Sequence, residues 1–173
     1  RTGTAFRGIV EGIINAGSLV CQQIAAHTPV LSEVKDGSQR VIRLVKGKST
    51  KRSTLEARHL TAKLCTRGVE QLAESEADEL WLVADGSDLR KPYATEMPAL
   101  MQVRDLNGKL VPGYRTLNVL GMTPQRRGIL YQRLFSSQEE DFISEPYEVQ
   151  QALKTVSRAI ERLKARMTMS WIL

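Results

Sequence analysis

The sequence predicts a protein of the α/β (α+β) class, in which helices come first and a mixed β-β-β-α-β sheet follows. Over roughly the first 76 residues, apolar side chains recur every three or four positions, as on one face of a helix. From Leu80 onward, short apolar runs alternate with turn residues instead, which is the pattern of strands. The 173 residues are 42% hydrophobic, enough for one sizeable core.

Three helices are expected in the first part. Apolar residues from Thr4 to about Ala26 predict one amphipathic helix, and a shorter helical stretch is expected from Val34 to Val45. Ser53 followed by Glu56 fits a capping box, which predicts a third helix that ends near Glu74.

Strands and their turns make up the second part. The run from Leu80 to Ala84 predicts a central strand covered on both faces. Further strands are expected near 100–103, 114–120 and 129–135. Asn107-Gly108 predicts a hairpin turn, and another turn is expected within 121–128.

A helix and a last strand complete the pattern. Ser144 with Pro146 predicts the start of a long helix, and Met169 to Leu173 predicts a buried strand after it. This order matches the opening of an RNase H-like fold, in which the first strand and the strand after the helix lie side by side. Other α/β sheets share the same order.

Charge is distributed unevenly along the chain, whose net charge is +6. Basic residues dominate between Lys35 and Arg67, and acidic residues dominate between Glu70 and Glu96. The basic block predicts contact with a polyanion such as nucleic acid. A solvated basic surface without a partner is the alternative.

Several classes of protein are disfavoured. The apolar stretch from Gly12 to Ala26 is too short to cross a membrane, so no membrane partner is expected. Cys21 and Cys65 lack metal-ligand spacing and are expected to be reduced, buried thiols, which indicates a cytoplasmic protein. The segment at 47–50 resembles the end of a P-loop, but the glycine that this motif requires at position 42 is an isoleucine. Nucleotide hydrolysis is therefore not expected.

Asp85 is the candidate for chemistry. It follows the predicted central strand directly and precedes Gly86 and Ser87, where the chain is expected to turn. Sites of α/β sheets lie at such strand ends. A buried carboxylate there would need a metal ion or an arginine partner. The alternative is that Asp85 merely caps the turn, and Asp88 is the nearby competitor.

Four sequence blocks form a recognisable series: LVADGSDLRKPYA at 82–94, LVPGYRTLN at 110–118, ILYQRLFSS at 129–137 and the Ser144-Glu145 pair, with TAFRG at 4–8 before them. Together they resemble the DDE-type transposases of bacterial insertion sequences. The resemblance covers nearly the whole chain. It implies an RNase H-like catalytic domain that cuts and rejoins DNA at transposon ends.

The resemblance also implies a set of site residues. Asp85 would be the first of three metal-binding carboxylates that hold Mg²⁺ or Mn²⁺. The second aspartate is expected directly after the strand that contains Trp171, and a glutamate is expected later. This sequence contains neither, so the chain alone is expected to be an inactive fragment that binds metal weakly.

DNA contacts are expected on two parts of the chain. One group lies in the family-like blocks, namely Arg90, Lys91, Tyr114 and Arg115. The other lies in the basic block, namely Arg43, Lys46, Lys48, Lys51 and Arg52. For two of the first group a structural role is the alternative, with Tyr114 packed and Arg115 paired with Asp88 or Asp105.

The expected organisation follows from these assignments. Residues 1–76 form a helical, basic, DNA-contacting region, and residues 77–173 form the first part of the catalytic domain. The expected partners are double-stranded DNA, both transposon ends and target, and a second copy of the protein in the DNA complex. The alternatives are a related nuclease or resolvase on the same fold, a nonenzymatic DNA-binding module, and an inactive gene remnant.

Overall fold

The computed structural model describes residues 2–18, 20–28, 38–39, 41–42 and 57–172. The chain forms two compact units, Arg1–Leu60 and Thr61–Leu173. The helices whose bounds the described residues give are α1 (Thr2–Ala16), α2 (Cys21–Ala26), α3 (Ala57–Ala73), α4 (Glu145–Ala159) and α5 (Glu161–Lys164). Its strands are β1 (Glu79–Arg90), β2 (Met101–Arg104), β3 (Leu110–Met122), β4 (Arg127–Phe135) and β5 (Thr168–Ile172).

Between Thr2 and Ala26 the chain forms two helices, α1 and α2, where one was predicted. The chain leaves α1 at Gly17, whose φ of +58° is the left-handed conformation that glycine adopts most readily. The prediction of one helix from Thr4 to Ala26 is therefore wrong. A Cβ atom on Gly12 would lie 2.4 Å from Oγ1 of Thr28, so this glycine allows α1 to approach the end of α2 closely.

Two other predicted elements lie largely outside the described residues. These are the helical stretch from Val34 to Val45 and the capping box formed by Ser53 and Glu56. The described part of the third helix, α3, ends at Ala73, close to its predicted end at Glu74. The predicted division of the chain at residue 76 stays a prediction.

The second unit is a five-stranded mixed sheet with β1 at its centre. β1 pairs antiparallel with β3, from Trp81 opposite Met122 to Arg90 opposite Gly113. On its other side β1 pairs in parallel with β5. β3 pairs with β4 along most of its length and with the short β2 near its beginning.

This strand order is compatible with the first part of an RNase H-like sheet, as the sequence predicts. The main order is β4-β3-β1-β5, in which three antiparallel strands are followed by α4 and by a strand parallel to the first. The strand after the helix lies beside β1, so that prediction is confirmed. β2 confirms the strand predicted near 100–103; it is a short strand beside β3 that the β-β-β-α-β order does not include.

One face of the sheet carries the core. Its buried side chains come from β1, β3, β4, α3, α4 and the segment after α4, and they include Leu72, Leu80, Leu82, Leu117, Val119, Leu130, Ala152, Val156 and Ile160. A Cβ atom on Gly68 of α3 would lie 2.3 Å from the carbonyl oxygen of Ile129, so α3 crosses β4 in backbone contact. This face is therefore filled by α3 and α4.

Local turn and cap signals are confirmed. Gly108 has a φ of +78°, and the amide of Asp105 donates to the carbonyl of Lys109 at 2.8 Å, so the predicted hairpin turn joins β2 to β3. The hydroxyl of Ser144 accepts a hydrogen bond from the amide of Tyr147 at 3.2 Å, which caps α4 as predicted.

Three burial predictions are wrong. β1 was expected to be covered on both faces, but Trp81 is 36% exposed on the face opposite the core. β5 was expected to be buried, but Trp171 and Ile172 are 38% and 52% exposed, because the described sheet ends at this strand. Cys21 and Cys65 are half-buried rather than fully buried, and both are free thiols. Burial raises the pKa of the Cys65 thiol. No helix among the described residues has the length and apolar character needed to cross a membrane.

Candidate active site

Asp85 lies on the face of the sheet opposite the core. Side chains alternate along a strand, and Leu80, Leu82 and Ala84 point to the helices. Asp85 therefore points to the other face, where it is exposed. Its Oδ2 atom accepts a hydrogen bond from the hydroxyl of Ser87 at 3.0 Å, two residues further along the same face.

The predicted strand end at Asp85 is wrong. β1 continues to Arg90, because residues 86–90 stay paired with β3 beyond the point where β5 stops. Gly86 and Ser87 thus lie in a strand, and neither the predicted turn nor the alternative turn cap is present. Since Asp85 is exposed, the expected need for a cationic partner to offset its burial does not arise.

The register identifies two side chains that sequence reasoning missed. Asp85 lies opposite Asn118 of β3, and Asn118 lies opposite Gln132 of β4. Opposite residues of paired strands point to the same face. One carboxylate and two amides therefore form a row across three strands. Pairing between distant segments creates this row, and no local signal in the sequence marks it.

Carboxylate and amide oxygens are ligands that Mg²⁺ and other hard cations accept. Asp85 is the one carboxylate of this row, and the described residues contain no group of three His, Cys, Asp or Glu side chains that could hold a metal ion. The row alone therefore does not fit a divalent metal centre, and no catalytic step through a metal follows from these residues.

A cleft of about 490 Å³ opens at the same level of the sheet on the core side. Its charged lining includes Asp88, Arg115 and Glu145. Nε of Arg115 lies 3.3 Å from Oδ1 of Asp88, and its Nη1 donates to Glu145 at the beginning of α4. The arginine therefore links β1, β3 and α4.

This geometry separates the two candidate aspartates. Asp88 belongs to β1 rather than to a loop, and its partner is Arg115 rather than Arg90 or Lys91. Because Asp85 and Asp88 are three residues apart in a strand, they point to opposite faces. Asp88 is engaged in an ion pair, whereas Asp85 is accessible from solvent.

The predicted DNA contacts differ in accessibility. Arg90 is exposed, and its Nε atom donates to the carbonyl of Arg104 at 3.1 Å; Lys91 is half-buried. Tyr114 is 6% exposed and donates its hydroxyl proton to the carbonyl of Pro98, so it packs, as its structural alternative proposes. Arg115 is 40% exposed within its ion pairs.

The contacts predicted in the basic block lie outside the described residues. They are Arg43, Lys46, Lys48, Lys51 and Arg52. Their role in DNA binding stays a prediction.

A second charged group is buried beneath α4. The side chain of Glu148 is 2% exposed, and its Oε2 atom lies 3.1 Å from Nε of Arg133 without a hydrogen bond to that oxygen. Oε2 of Glu139 lies 3.7 Å from Nη2 of Arg133. Burial raises the pKa of Tyr131, the positive charge of Arg133 lowers it, and the negative charge of Glu148 raises it.

No protein-family model matches the chain. No curated protein matches it either. Among solved structures, the chain is similar to three complexes described as the Mos1 Strand Transfer Complex, a pre-cleavage Mos1 transpososome and a Mos1 transposase paired-end complex with left transposon end.

The first comparison has a TM-score of 0.29 at 16% identity and covers 95% of this chain and 50% of that chain. The second has a TM-score of 0.29 at 16% identity and covers 95% and 51%. The third has a TM-score of 0.28 at 16% identity and covers 94% and 50%. The chain thus spans about half the length of the solved chains it matches.

Proposed function

We propose that this chain is part of a DNA transposase of the DDE type, similar to those of bacterial insertion sequences, and that Asp85 is its first catalytic carboxylate. The activity is proposed for a longer parent protein that acts on DNA in the bacterial cytoplasm. Its reaction would be metal-dependent cleavage of phosphodiester bonds at transposon ends, followed by strand transfer.

The parallel register between β1 and β5 carries this proposal. Val83 lies opposite Ile172, and Asp85 is two residues beyond Val83. In a parallel ladder each step along one strand is matched by one step along its neighbour. If the pairing of β1 with β5 continues, the second residue after Ile172 lies beside Asp85. A carboxylate at that position would share the exposed face with Asp85, Asn118 and Gln132.

Metal binding is proposed only for the parent protein. Asp85 would hold Mg²⁺ or Mn²⁺ together with carboxylates from later segments, and the metal would supply charge neutralisation at the attacked phosphate. Asn118 and Gln132 would then lie beside the centre as hydrogen-bonding groups. Their amides can orient a carboxylate or a bound water without adding negative charge.

Double-stranded DNA is the proposed partner, bound by a homodimer. Arg90 and Lys91 at the end of β1 supply positive charge on the same sheet as Asp85. The basic residues between Lys35 and Arg67 would add contacts to the DNA backbone. Such contacts position the duplex without reading its sequence, and they weaken as salt rises.

The test compares Asp85→Asn with Asp141→Asn in the parent protein. Asp141 is an exposed aspartate in the turn before α4, so its substitution removes the same charge away from the proposed site. The substrate is a duplex carrying the ends of the element that encodes the protein. Asp85→Asn is expected to lower the cleavage rate by more than the roughly 10–100-fold that loss of a partner of a metal ligand costs, while DNA binding persists.

Each outcome selects one class of protein. Cleavage and joining that both depend on Asp85 support the transposase. Cleavage without joining indicates a nuclease or resolvase on the same fold. DNA binding by a parent that cleaves nothing indicates a nonenzymatic module or an inactive remnant, and cleavage unaffected by Asp85→Asn overturns the assignment of this residue.

A further inference from the structure

The loop between β1 and β2 presents an aromatic side chain to solvent. Lys91-Pro92-Tyr93-Ala94 forms a tight turn in which the amide of Ala94 donates to the carbonyl of Lys91 at 2.9 Å. Pro92 stands at the second position of the turn, where its fixed φ suits a β-turn. Tyr93 stands at the third position and is 97% exposed.

The loop is held at both ends. The amide of Lys91 donates to the carbonyl of Pro112 at 2.7 Å, and the buried Tyr114 donates to the carbonyl of Pro98. Ala99 has a φ of 51°, a conformation that residues with a Cβ atom rarely adopt. Such backbone strain persists only where the surrounding contacts fix it. The turn that carries Tyr93 is thus presented by an anchored loop.

Positive charge is in excess around this loop. Four cations lie on the adjoining parts of β1, β2 and the β2–β3 turn, and none has an ion pair within the described part of the chain: Arg90, Lys91, Arg104 and Lys109. Three acidic side chains lie nearby. Asp88 accepts the amide of Arg104 at 3.3 Å and is paired with Arg115. Asp105 accepts the amides of Asn107 and Lys109, and Glu96 lies within the loop.

We propose that Tyr93 is a stacking platform for an unpaired DNA base, with Arg90 and Lys91 placed to contact the flanking phosphates. The inference rests on the proposed function, because it takes DNA as the ligand. It adds that the loop between β1 and β2 receives an unpaired base. Aromatic rings in basic surroundings bind single-stranded nucleic acid in this way, since every base offers a planar face.

The positive charge around the ring favours a DNA base over a protein partner. Beside Tyr93 the loop exposes two polar side chains, Thr95 and Glu96, and one large apolar side chain, Met97, which is 42% exposed. β1 runs five residues from Asp85 to Arg90, roughly 17 Å at the rise of a strand. The platform and Asp85 are therefore far enough apart to be tested independently.

Binding of the 173-residue chain to two fluorescent DNAs tests the platform. One is a fully paired duplex, and the other is the same duplex with one unpaired 2-aminopurine at its centre. Tyr93→Ala is expected to weaken binding to the second DNA about tenfold and to remove the fluorescence change of the 2-aminopurine. Binding to the paired duplex should change little, and Tyr93→Phe should retain both signals.

Two control variants distinguish the effect of ring stacking from the effects of positive charge and of any exposed apolar side chain. Leu106 is 88% exposed at the β2–β3 turn, so Leu106→Ala removes an exposed apolar side chain from the same part of the sheet and should leave both affinities unchanged. Lys91→Gln should reduce the slope of log affinity against log salt concentration by about 1, the amount that corresponds to one phosphate contact. Tyr93→Ala should leave that dependence unchanged.

The possible failures are distinguishable. If the chain binds both DNAs and Tyr93→Ala binds them as the wild type does, the platform is overturned while the proposed function stands. If the chain binds neither DNA at low salt, the DNA partner fails and the platform fails with it. Matching circular dichroism spectra would show that each variant is folded.

Discussion

The guanidinium of Arg133 lies against the carboxylate of Glu148, with Nε 3.1 Å from Oε2, under a helix that buries Glu148 to 2% exposure. The contact joins β4 to α4. A buried carboxylate is costly unless a cation compensates it, so each partner constrains the other. The pair therefore fixes where the beginning of α4 packs on the sheet.

Arg133→Met is expected to destabilise the protein by about 1–3 kcal/mol, because it leaves the carboxylate of Glu148 buried without a cation. The loss is smaller than for a fully buried pair, since Arg133 is itself 34% exposed. Glu148→Gln should cost less, since it removes the buried charge itself. Glu139→Gln is the control, because Glu139 is 30% exposed and a partly exposed pair contributes at most about 1 kcal/mol. Urea unfolding measures all three, and equal losses for Arg133→Met and Glu139→Gln would contradict this account.

Titration of Tyr131 provides a second prediction. Its pKa is raised mainly by burial, and Arg133 opposes the rise. The folded protein therefore keeps the phenol proton to higher pH than the unfolded chain does, so its stability should fall as pH rises above about 10. Arg133→Met should raise the pKa of Tyr131 further.

Phenolate absorbance against pH measures this titration, and Tyr131→Phe identifies its step among the four tyrosines. The variant should lack the step that belongs to Tyr131. If Arg133→Met lowers the pKa of Tyr131 instead, the arrangement of charges around the ring is wrong.

Gly68 should be intolerant of a side chain. A Cβ atom there would lie 2.3 Å from the carbonyl oxygen of Ile129. Gly128, which faces Gly68 from β4, has no side chain that could move aside. Gly68→Ala is expected to cost at least about 1–3 kcal/mol, because α3 must move away from β4. Gly86→Ala is the matched control, since its nearest neighbour would be 3.9 Å away. A thermal midpoint of Gly68→Ala equal to that of Gly86→Ala would exclude the close contact.

Local signals account for the parts of the fold that the sequence predicts correctly. The Asn107-Gly108 turn and the Ser144 cap depend on neighbouring residues alone, and both are present. The break between α1 and α2 at Gly17 is also local, but a continuous apolar pattern on both sides conceals it. A glycine inside such a pattern is compatible with either a continuous or a broken helix.

Pairing between distant segments explains what the sequence could not provide. β1 reaches Arg90 because β3 continues beside it, and neither strand's length is encoded in its own apolar run. Asn118 joins the row of Asp85 through the same register. A shift of the register by one residue would turn Asn118 to the opposite face. The sequence does not fix this register, so it could not place Asn118 near Asp85.

Metal binding by the chain on its own gives the last prediction. Within the described residues no three-ligand group accompanies Asp85, and even the weaker calcium sites built from many oxygen ligands have dissociation constants of about 0.1–1 mM. The 173-residue chain should therefore bind Mn²⁺ more weakly than about 1 mM. The electron paramagnetic resonance signal of free Mn²⁺ measures this binding. Submillimolar binding that Asp85→Asn abolishes and Asp88→Asn retains would show that the present residues suffice for a metal centre.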